Sequence, residues 1–389
     1  MAGLGRPLGK MRLMPDPIER IQDQLRAAAA DGRVLRVQGH GSKNFYGNPL
    51  RGEPLPTTEL SGVLAYEPSE LVITARAGTP LAELQAVLAE QGQFLPFEPP
   101  LFGGQGTVGG MVAAGLAGPS RASVGGVRDF VLGAEIVNGR GERLRYGGQV
   151  MKNVAGYDVS RLMVGSLGTL AVMTELSLKV LPLPVASCTL QFEASQAQAL
   201  QWLAQWRAQP LPLWASHWVQ DQDRGCLYLR LRGAAAAVQA AQQRLLQQAQ
   251  AQGHAAQALS DSAEAADWEA ARHHALPFFA QPPSEQACLW RLSLPANTPA
   301  LADLPPQLVD WHGTQRWLWA SAAHAEPLRQ AARAVGGHAT MFCASRAHPE
   351  ADKALGVFDT PQPSVARIGA RLRHAFDPQG VLNTQRLPS

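Results

Sequence analysis

Val37-Gln38-Gly39-His40-Gly41-Ser42-Lys43-Asn44-Phe45-Tyr46-Gly47 follows directly on the apolar strand pattern Val34-Leu35-Arg36-Val37. Glycines at 39, 41 and 47 allow consecutive N–H groups to turn inward and form an anion-binding concavity. Ser42 and Lys43 place a hydroxyl donor and a positive charge at the same point. The order suits a phosphate-bearing ligand. A single loop of this kind is also compatible with an ordinary turn between strands, so the sequence on either side has to decide.

Upstream, Asp16 and Pro17 suit the cap and first position of a helix with Ile18, Ile21 and Leu25 on one face, stopped by Gly32. Downstream, Leu71–Arg76 reads as a strand, and Gly78-Thr79-Pro80 opens a helix through Leu81, Leu84 and Leu88 to Gly92. A formal G-x-G-x-x-G stands at Gly104, Gly106 and Gly109. A dinucleotide fold of the Rossmann kind needs a strand before that motif and a βαβ unit around it. Here a Pro-rich coil precedes it, and Leu132–Tyr146 reads as an antiparallel hairpin turning at Asn138-Gly139-Arg140-Gly141. NAD(P) is therefore not expected. These glycines are expected to let the backbone approach another ligand at the start of a helix over 109–116.

Leu170–Leu181 is a long strand pattern closed by Pro182 and Pro184, and beyond it the composition changes. All nine tryptophans lie past residue 200, which puts a domain boundary near 184. Trp317 and Trp319, with Arg316 alongside, read as a strand with alternating core contacts. The first 13 residues are expected to be flexible.

With 389 residues, 46% apolar content and a net charge of only +3, the chain is large enough for two domains. No run of basic residues interleaved with aromatics suggests nucleic acid as a partner. Cysteines 188, 226, 288 and 343 stand too far apart for zinc or a cluster carried by this chain, so no metal ligands are assigned. Their small number suits a reducing cytoplasm. No apolar run reaches 18 residues, so membrane association is expected only through partners, peripherally at the inner face.

Five segments in order resemble the FAD-binding domain shared by vanillyl-alcohol oxidase, p-cresol methylhydroxylase and the D-2-hydroxyacid dehydrogenases. They are the loop Gly39–Gly47, then Gly106-Thr-Val-Gly-Gly-Met111, then Gly126-Val-Arg-Asp129 with Leu132-Gly133, then Lys152–Asp158 running into Leu162–Glu175, and last Phe376–Asn383. Glu98-Pro-Pro100, Gly109–Pro119, Pro277-Phe-Phe279 and Gly336-Gly-His-Ala-Thr340 extend the likeness nearly end to end. They narrow it to the smaller FAD-binding subunits of bacterial three-subunit glycolate oxidases.

The resemblance implies an α+β architecture. A PCMH-type FAD-binding domain over 14–184 (subdomains 14–57 and 58–184) is followed by an α/β cap or interface domain over 185–348 and a segment 349–389 returning to the flavin. It also implies a cofactor, FAD. Gln38, Gly39, His40, Gly41, Ser42 and Lys43 would hold the pyrophosphate, with Gly106, Thr107, Gly109 and Gly110 at the helix start adding unpaired N–H groups. Gly165, Ser166, Gly168 and Thr169 would pass close to the cofactor, and Asn383 would reach the pyrimidine edge of its ring. Relatives with covalent FAD place a histidine directly before the serine-type position. Here Gly41 separates His40 from Ser42, so non-covalent binding is expected. Alanine at Gly39 or Gly41 is expected to be tolerated, and valine at Gly41 is not.

Arg128-Asp129 is expected to orient the glycine segment through an ion pair, and Tyr157-Asp158 to form a buried hydrogen-bonded pair. His338 is the candidate base. The sequence lacks the Gly-His-x-Gly-Asp-Gly-Asn-x-His segment of the competent dehydrogenases. The implied division of labour gives the remaining chemistry on glycolate, or a similar small 2-hydroxy acid, to a larger FAD-binding subunit and onward electron transfer to an iron–sulfur subunit. Two other readings stay open, a non-catalytic FAD-holding or relay subunit and a stand-alone oxidase of another 2-hydroxy acid or alcohol.

Overall fold

The computed structural model describes residues 16–104, 106–148, 158–221, 224–301 and 303–388. The stretch 1–13 and the Lys152–Tyr157 part of the fourth motif lie outside them.

The first helix is Pro17–Asp31. The Asp16 carboxylate accepts the Ile18 N–H at 3.1 Å, Pro17 opens the first turn, and Gly32 ends it at φ 65°. Its apolar face, Ile18, Ile21, Leu25 and Ala28, packs on Leu35, Leu55, Val137, Val172 and Leu382. Strand Leu35–Gln38 pairs in parallel with Glu53–Pro56, so the glycine loop joins two adjacent parallel strands. On its other side the same strand holds a distant segment: Leu35 N–H donates to the Val381 carbonyl and Asn383 N–H to the Leu35 carbonyl, at 2.7 and 2.9 Å.

A five-stranded antiparallel sheet follows, in the spatial order Val63–Glu67, Val72–Arg76, Ala171–Lys179, Val131–Asn138, Arg143–Gly147. Its central strand is buried on both faces from Ala171 to Leu178, as its unbroken apolar pattern requires. Helices Leu81–Glu90 and Val108–Ala114 supply Leu81, Leu84, Leu88, Val108, Met111 and Val112 to the core beside it.

Beyond residue 185 lies an eight-stranded antiparallel sheet whose strands run, in order, Ala256–Ala258, Ala186–Glu193, Arg224–Gly233, Leu213–Asp221, Gln307–Asp310, Gln315–Ala320, Cys288–Ser293, His338–Cys343. Helices Gln196–Arg207 and Ala235–Ala251 cover one face through Trp202, Trp206 and Leu245. The opposite face turns to the first unit, where Leu289, Leu308, Trp317 and Phe342 meet Tyr46, Ala114 and Leu116. Trp317 and Arg316 are both fully buried, on opposite faces, which is the alternation expected of that strand.

A buried ion pair fastens the two units. Glu98 takes both Oε atoms to Arg230 Nη2, at 2.7 and 2.8 Å, and accepts the Ser120 N–H at 3.1 Å. Arg230 also lies over the Trp268 ring, 4.6 Å from its centroid. The Glu98-Pro-Pro motif thus serves the junction between the units rather than the glycine loop.

Candidate flavin-binding cleft

Strand Leu35–Gln38, the turn 39–44, Thr107 with helix Val108–Ala114, and the turn at Leu167-Gly168 enclose a cleft that Asn383 and Arg386 close from the far side. The sequence brings these parts together by close backbone approach. A Cβ on Gly39 would land on Thr107 Oγ1, so only glycine lets the loop lie against the helix start. Gly41 has φ 75°, and a Cβ there would meet Asn44 Nδ2 at 2.9 Å. The tolerance of alanine expected at these two positions is thereby corrected. At 39 the obstacle is a neighbour, and at 41 it is both the neighbour and the backbone.

The loop then offers what an anion needs. Among the described residues, no acceptor takes the N–H groups of Gly39 to Lys43. The Lys43 ammonium lies 3.5 Å from Ser42 Oγ and 5.7 Å from the Phe102 ring centroid. Burial pulls its pKa down to about 8, with no carboxylate to offset the loss of water. Arg386 is buried too, and burial, then the charge of Arg36, pulls it to about 10. Its guanidinium donates to the carbonyls of Asn44 (2.9 Å), Tyr46 and Asn48 and so braces the loop from behind. Gln38 Oε1 is buried without a partner at the same place. Free N–H groups, two desolvated cations and a cradle that a single Cβ would fill fit the diphosphate of a dinucleotide cofactor.

Eleven of the residues expected at the cofactor line this cleft: Gln38, Gly39, His40, Gly41, Ser42, Lys43, Thr107, Gly109, Gly110, Gly168 and Asn383. Several act differently from the expectation. The start of the helix at 108 has no N–H to spare, because Val108 and Gly109 donate to the carbonyls of Thr79 and Ala77, Gly110 to Thr107 Oγ1 and Met111 to the Thr107 carbonyl. Thr107 is the helix cap, and its own hydroxyl proton is what it has to offer a ligand. The Asn383 amide is committed at both ends, accepting the Val37 N–H at 2.7 Å and donating to the Leu167 carbonyl at 2.6 Å. It ties the cleft walls together and keeps a second N–H and a second lone pair.

Gly106, Gly165, Ser166 and Thr169 stand behind the lining. The Gly106 carbonyl accepts the Leu81 N–H at 2.7 Å, and Gly165 N–H donates to Val112 at 3.1 Å. The hydroxyls of Ser166 and Thr169 close on the carbonyls of Met163 and Ser166, each at 2.8 Å, and hold the turn that presents Gly168.

His338 begins the edge strand of the larger sheet, opposite Ser293, and is not brought to the cleft. Partial burial, then the nearby Arg291 charge, holds its imidazole below the usual histidine value. Asp129 caps the Gly126 N–H at 2.8 Å while Arg128 is exposed, so the expected orienting ion pair is instead a carboxylate cap. Asp158 is half-exposed and pairs with Arg161 at 3.0 Å; Tyr157, the other member of the expected pair, lies outside the described residues.

Arg386 escaped the sequence reading, as did Thr57 and Ala77 on the cleft wall. A lone arginine three residues beyond Asn383 was the available signal for the first. Between the loop and the larger sheet, aromatic rings fill the junction. Phe102 meets Phe45 at 5.1 Å and His274 at 5.4 Å, and His274 stacks on Phe279 at 4.5 Å. Burial lowers the His274 pKa to about 4, so this imidazole is neutral within the wall.

The family described as an FAD binding domain matches residues 10–147. Across nearly its whole length the chain is similar to the glycolate oxidase subunit GlcE of Escherichia coli K12, with 43% identity over 373 residues, 96% of this chain and 97% of that one. The glycolate oxidase subunit GlcD of Bacillus subtilis is 34% identical over 131 residues, 34% of this chain and 28% of its own. An alkyldihydroxyacetonephosphate synthase structure superposes with a TM-score of 0.63 at 15% identity, covering 95% of this chain and 76% of that chain, which is a likeness of fold. The fold and these relatives define an FAD-dependent flavoprotein oxidoreductase subunit with the PCMH-type architecture. Within that class the chain belongs to the GlcE family of glycolate oxidase subunits.

Proposed function

We propose that this chain binds FAD non-covalently in the cleft, as one subunit of a complex that oxidises glycolate to glyoxylate and passes the electrons to an iron–sulfur subunit. The observation that carries the reading is the 43% identity to a glycolate oxidase subunit over 97% of that protein. In support, Gly39 to Lys43 supply the free N–H groups, Lys43 and Arg386 the buried positive charge, and Thr107 a hydroxyl. When bound, the flavin supplies a hydride acceptor for the carbon bearing the hydroxyl. The complete reaction also needs a base for the hydroxyl proton and cations for the carboxylate, and we assign these to a larger flavin subunit. The complex works in the cytoplasm or peripherally at the inner face of the membrane, reached through partner subunits. Among the described residues, no helix is long and apolar enough to cross a membrane.

A second reading, that this subunit holds FAD without itself meeting substrate, is favoured by the aromatic packing between the loop and the larger sheet. Anaerobic mixing of glycolate with the assembled complex, loaded with FAD in this chain alone, separates the two. Bleaching of its flavin absorbance supports direct oxidation, and an unchanged flavin spectrum supports the relay reading. A chain that purifies colourless and takes up no FAD refutes both.

A further inference from the structure

The last helix, Pro363–Phe376, has 14 residues and buries none of them. Its own sequence does little to hold it. Gln362 makes no side-chain cap, the first turn carries no acid, and Gly369 stands in the middle. A helix of this length is marginal in water without packing. The packing it has lies at one end. Val365, Ile368, Leu372 and Phe376 fall on one stripe. Leu372 and Phe376 pack on the core of the five-stranded sheet, with the Phe376 ring 6.5 Å from that of Tyr146. Val365 and Ile368 are 56% and 60% exposed, so the stripe runs on past the edge of that core. Beside them Arg367 and Arg371 stand exposed one turn apart, and among the described residues no carboxylate pairs with either. The flanking acids are engaged elsewhere, Asp359 with Arg333 and Asp377 with the N–H groups of Val381 and Leu382. Arg373 turns back to donate to the Pro388 carbonyl at 3.3 Å.

Exposed aliphatic side chains framed by unpaired guanidinium groups specify what covers them. A second copy would set the same arginines against each other across a two-fold axis. A membrane surface calls for a broad apolar face with aromatic anchors, and the phenylalanine of this helix packs inward on Tyr146. A protein surface with a shallow apolar notch and a carboxylate rim matches both the aliphatic and the basic groups. We propose that helix Pro363–Phe376 docks this chain onto a partner subunit, with Val365 and Ile368 filling an apolar notch and Arg367 and Arg371 pairing with an acidic rim. The proposal rests on the reading of the chain as one subunit of a complex. The same helix leads directly into the segment that carries Asn383 and Arg386, so docking and the closed side of the cleft share one stretch of chain.

Titration of the FAD-loaded full chain into the remaining subunits of the complex, at low and high ionic strength, tests this. Flavin content and melting temperature are recorded for each variant. Val365→Gln with Ile368→Gln should leave both unchanged, because the two side chains are exposed and glutamine favours helix more than either. The pair should weaken assembly about a hundredfold, the worth of burying two aliphatic side chains. Arg367→Gln with Arg371→Gln should weaken it about tenfold at low ionic strength and remove most of its salt dependence. Amide exchange across 364–371 should be fast in the chain alone and at least about tenfold slower in the complex. Unchanged assembly by the Val365→Gln, Ile368→Gln pair overturns the proposal, as does exchange across 364–371 that assembly does not slow. Flotation of the chain with phosphatidylglycerol vesicles that this pair abolishes overturns it in favour of a lipid surface, and self-association that the pair abolishes overturns it in favour of a second copy. A wild-type chain that joins no complex refutes the subunit reading itself, an outcome distinct from the others.

Discussion

Lys43 makes cofactor affinity depend on pH in a way that can be worked out beforehand. Burial takes its pKa from 10.5 to about 8, so the folded protein holds about 3 kcal/mol against the charged form. The sign follows from linkage. The free cleft binds this proton only below about pH 8, whereas a diphosphate beside the ammonium restores the proton's affinity to its ordinary range or above. Binding therefore takes up a proton above pH 8 and weakens as pH rises. With a free value of 8 and a bound value of 10.5 or higher, the FAD dissociation constant should be about twofold higher at pH 8 than at pH 7, and about tenfold higher at pH 9. Quenching of FAD fluorescence during reconstitution of the apoprotein, at constant ionic strength, measures it. Lys43→Arg keeps a charge that does not titrate in this range and should bind with a flat profile. Lys43→Met should be flat and weaker throughout. A flat profile in the wild type, or the wild-type slope persisting in Lys43→Arg, refutes the assignment of Lys43 to the diphosphate.

Gly39→Ala should lower FAD affinity by roughly one to two orders of magnitude with a smaller loss of stability, because the new methyl drives the loop off Thr107; cofactor content after purification reads this out. Gly41→Val should do worse, since it adds a β-branched residue at φ 75°. Glu98→Gln leaves the Arg230 charge buried with a poorer partner and should destabilise the fold by about 3 kcal/mol in urea, whereas the double change with Arg230→Met should recover much of it. Arg386→Met should lower FAD affinity and raise protease sensitivity around residue 44 while leaving the melt of the larger sheet unchanged.

Much of this was legible in the residues. The capped first helix, the central strand Ala171–Lys179 and the hairpin around 138–141 follow from local periodicity and turn chemistry, and each forms within a residue or two of its expected bounds. The loop was legible through the motifs that follow it in order, since alone it suits an ordinary turn between strands equally well. What escaped the sequence depended on distant partners. Nothing local says that Thr79 and Ala77 take the first two N–H groups of the helix at 108, or that Asn383 spends its amide on Val37 and Leu167. His338 drew attention through its glycine neighbours, yet its strand ends at a sheet edge, a fact fixed only by the pairing of eight strands.

The turn that meets the cofactor is braced by a guanidinium 342 residues further along the chain. Such a brace is made after both sheets during synthesis. A nascent or clipped chain lacking the segment around 382–386 can build its strands yet has nothing to hold the carbonyls of Asn44, Tyr46 and Asn48 in place. Flavin capture then depends on the segment around 382–386. Only a chain that carries it should gain the stabilisation that a bound cofactor adds, and a chain cut before it should stay colourless and open to proteolysis.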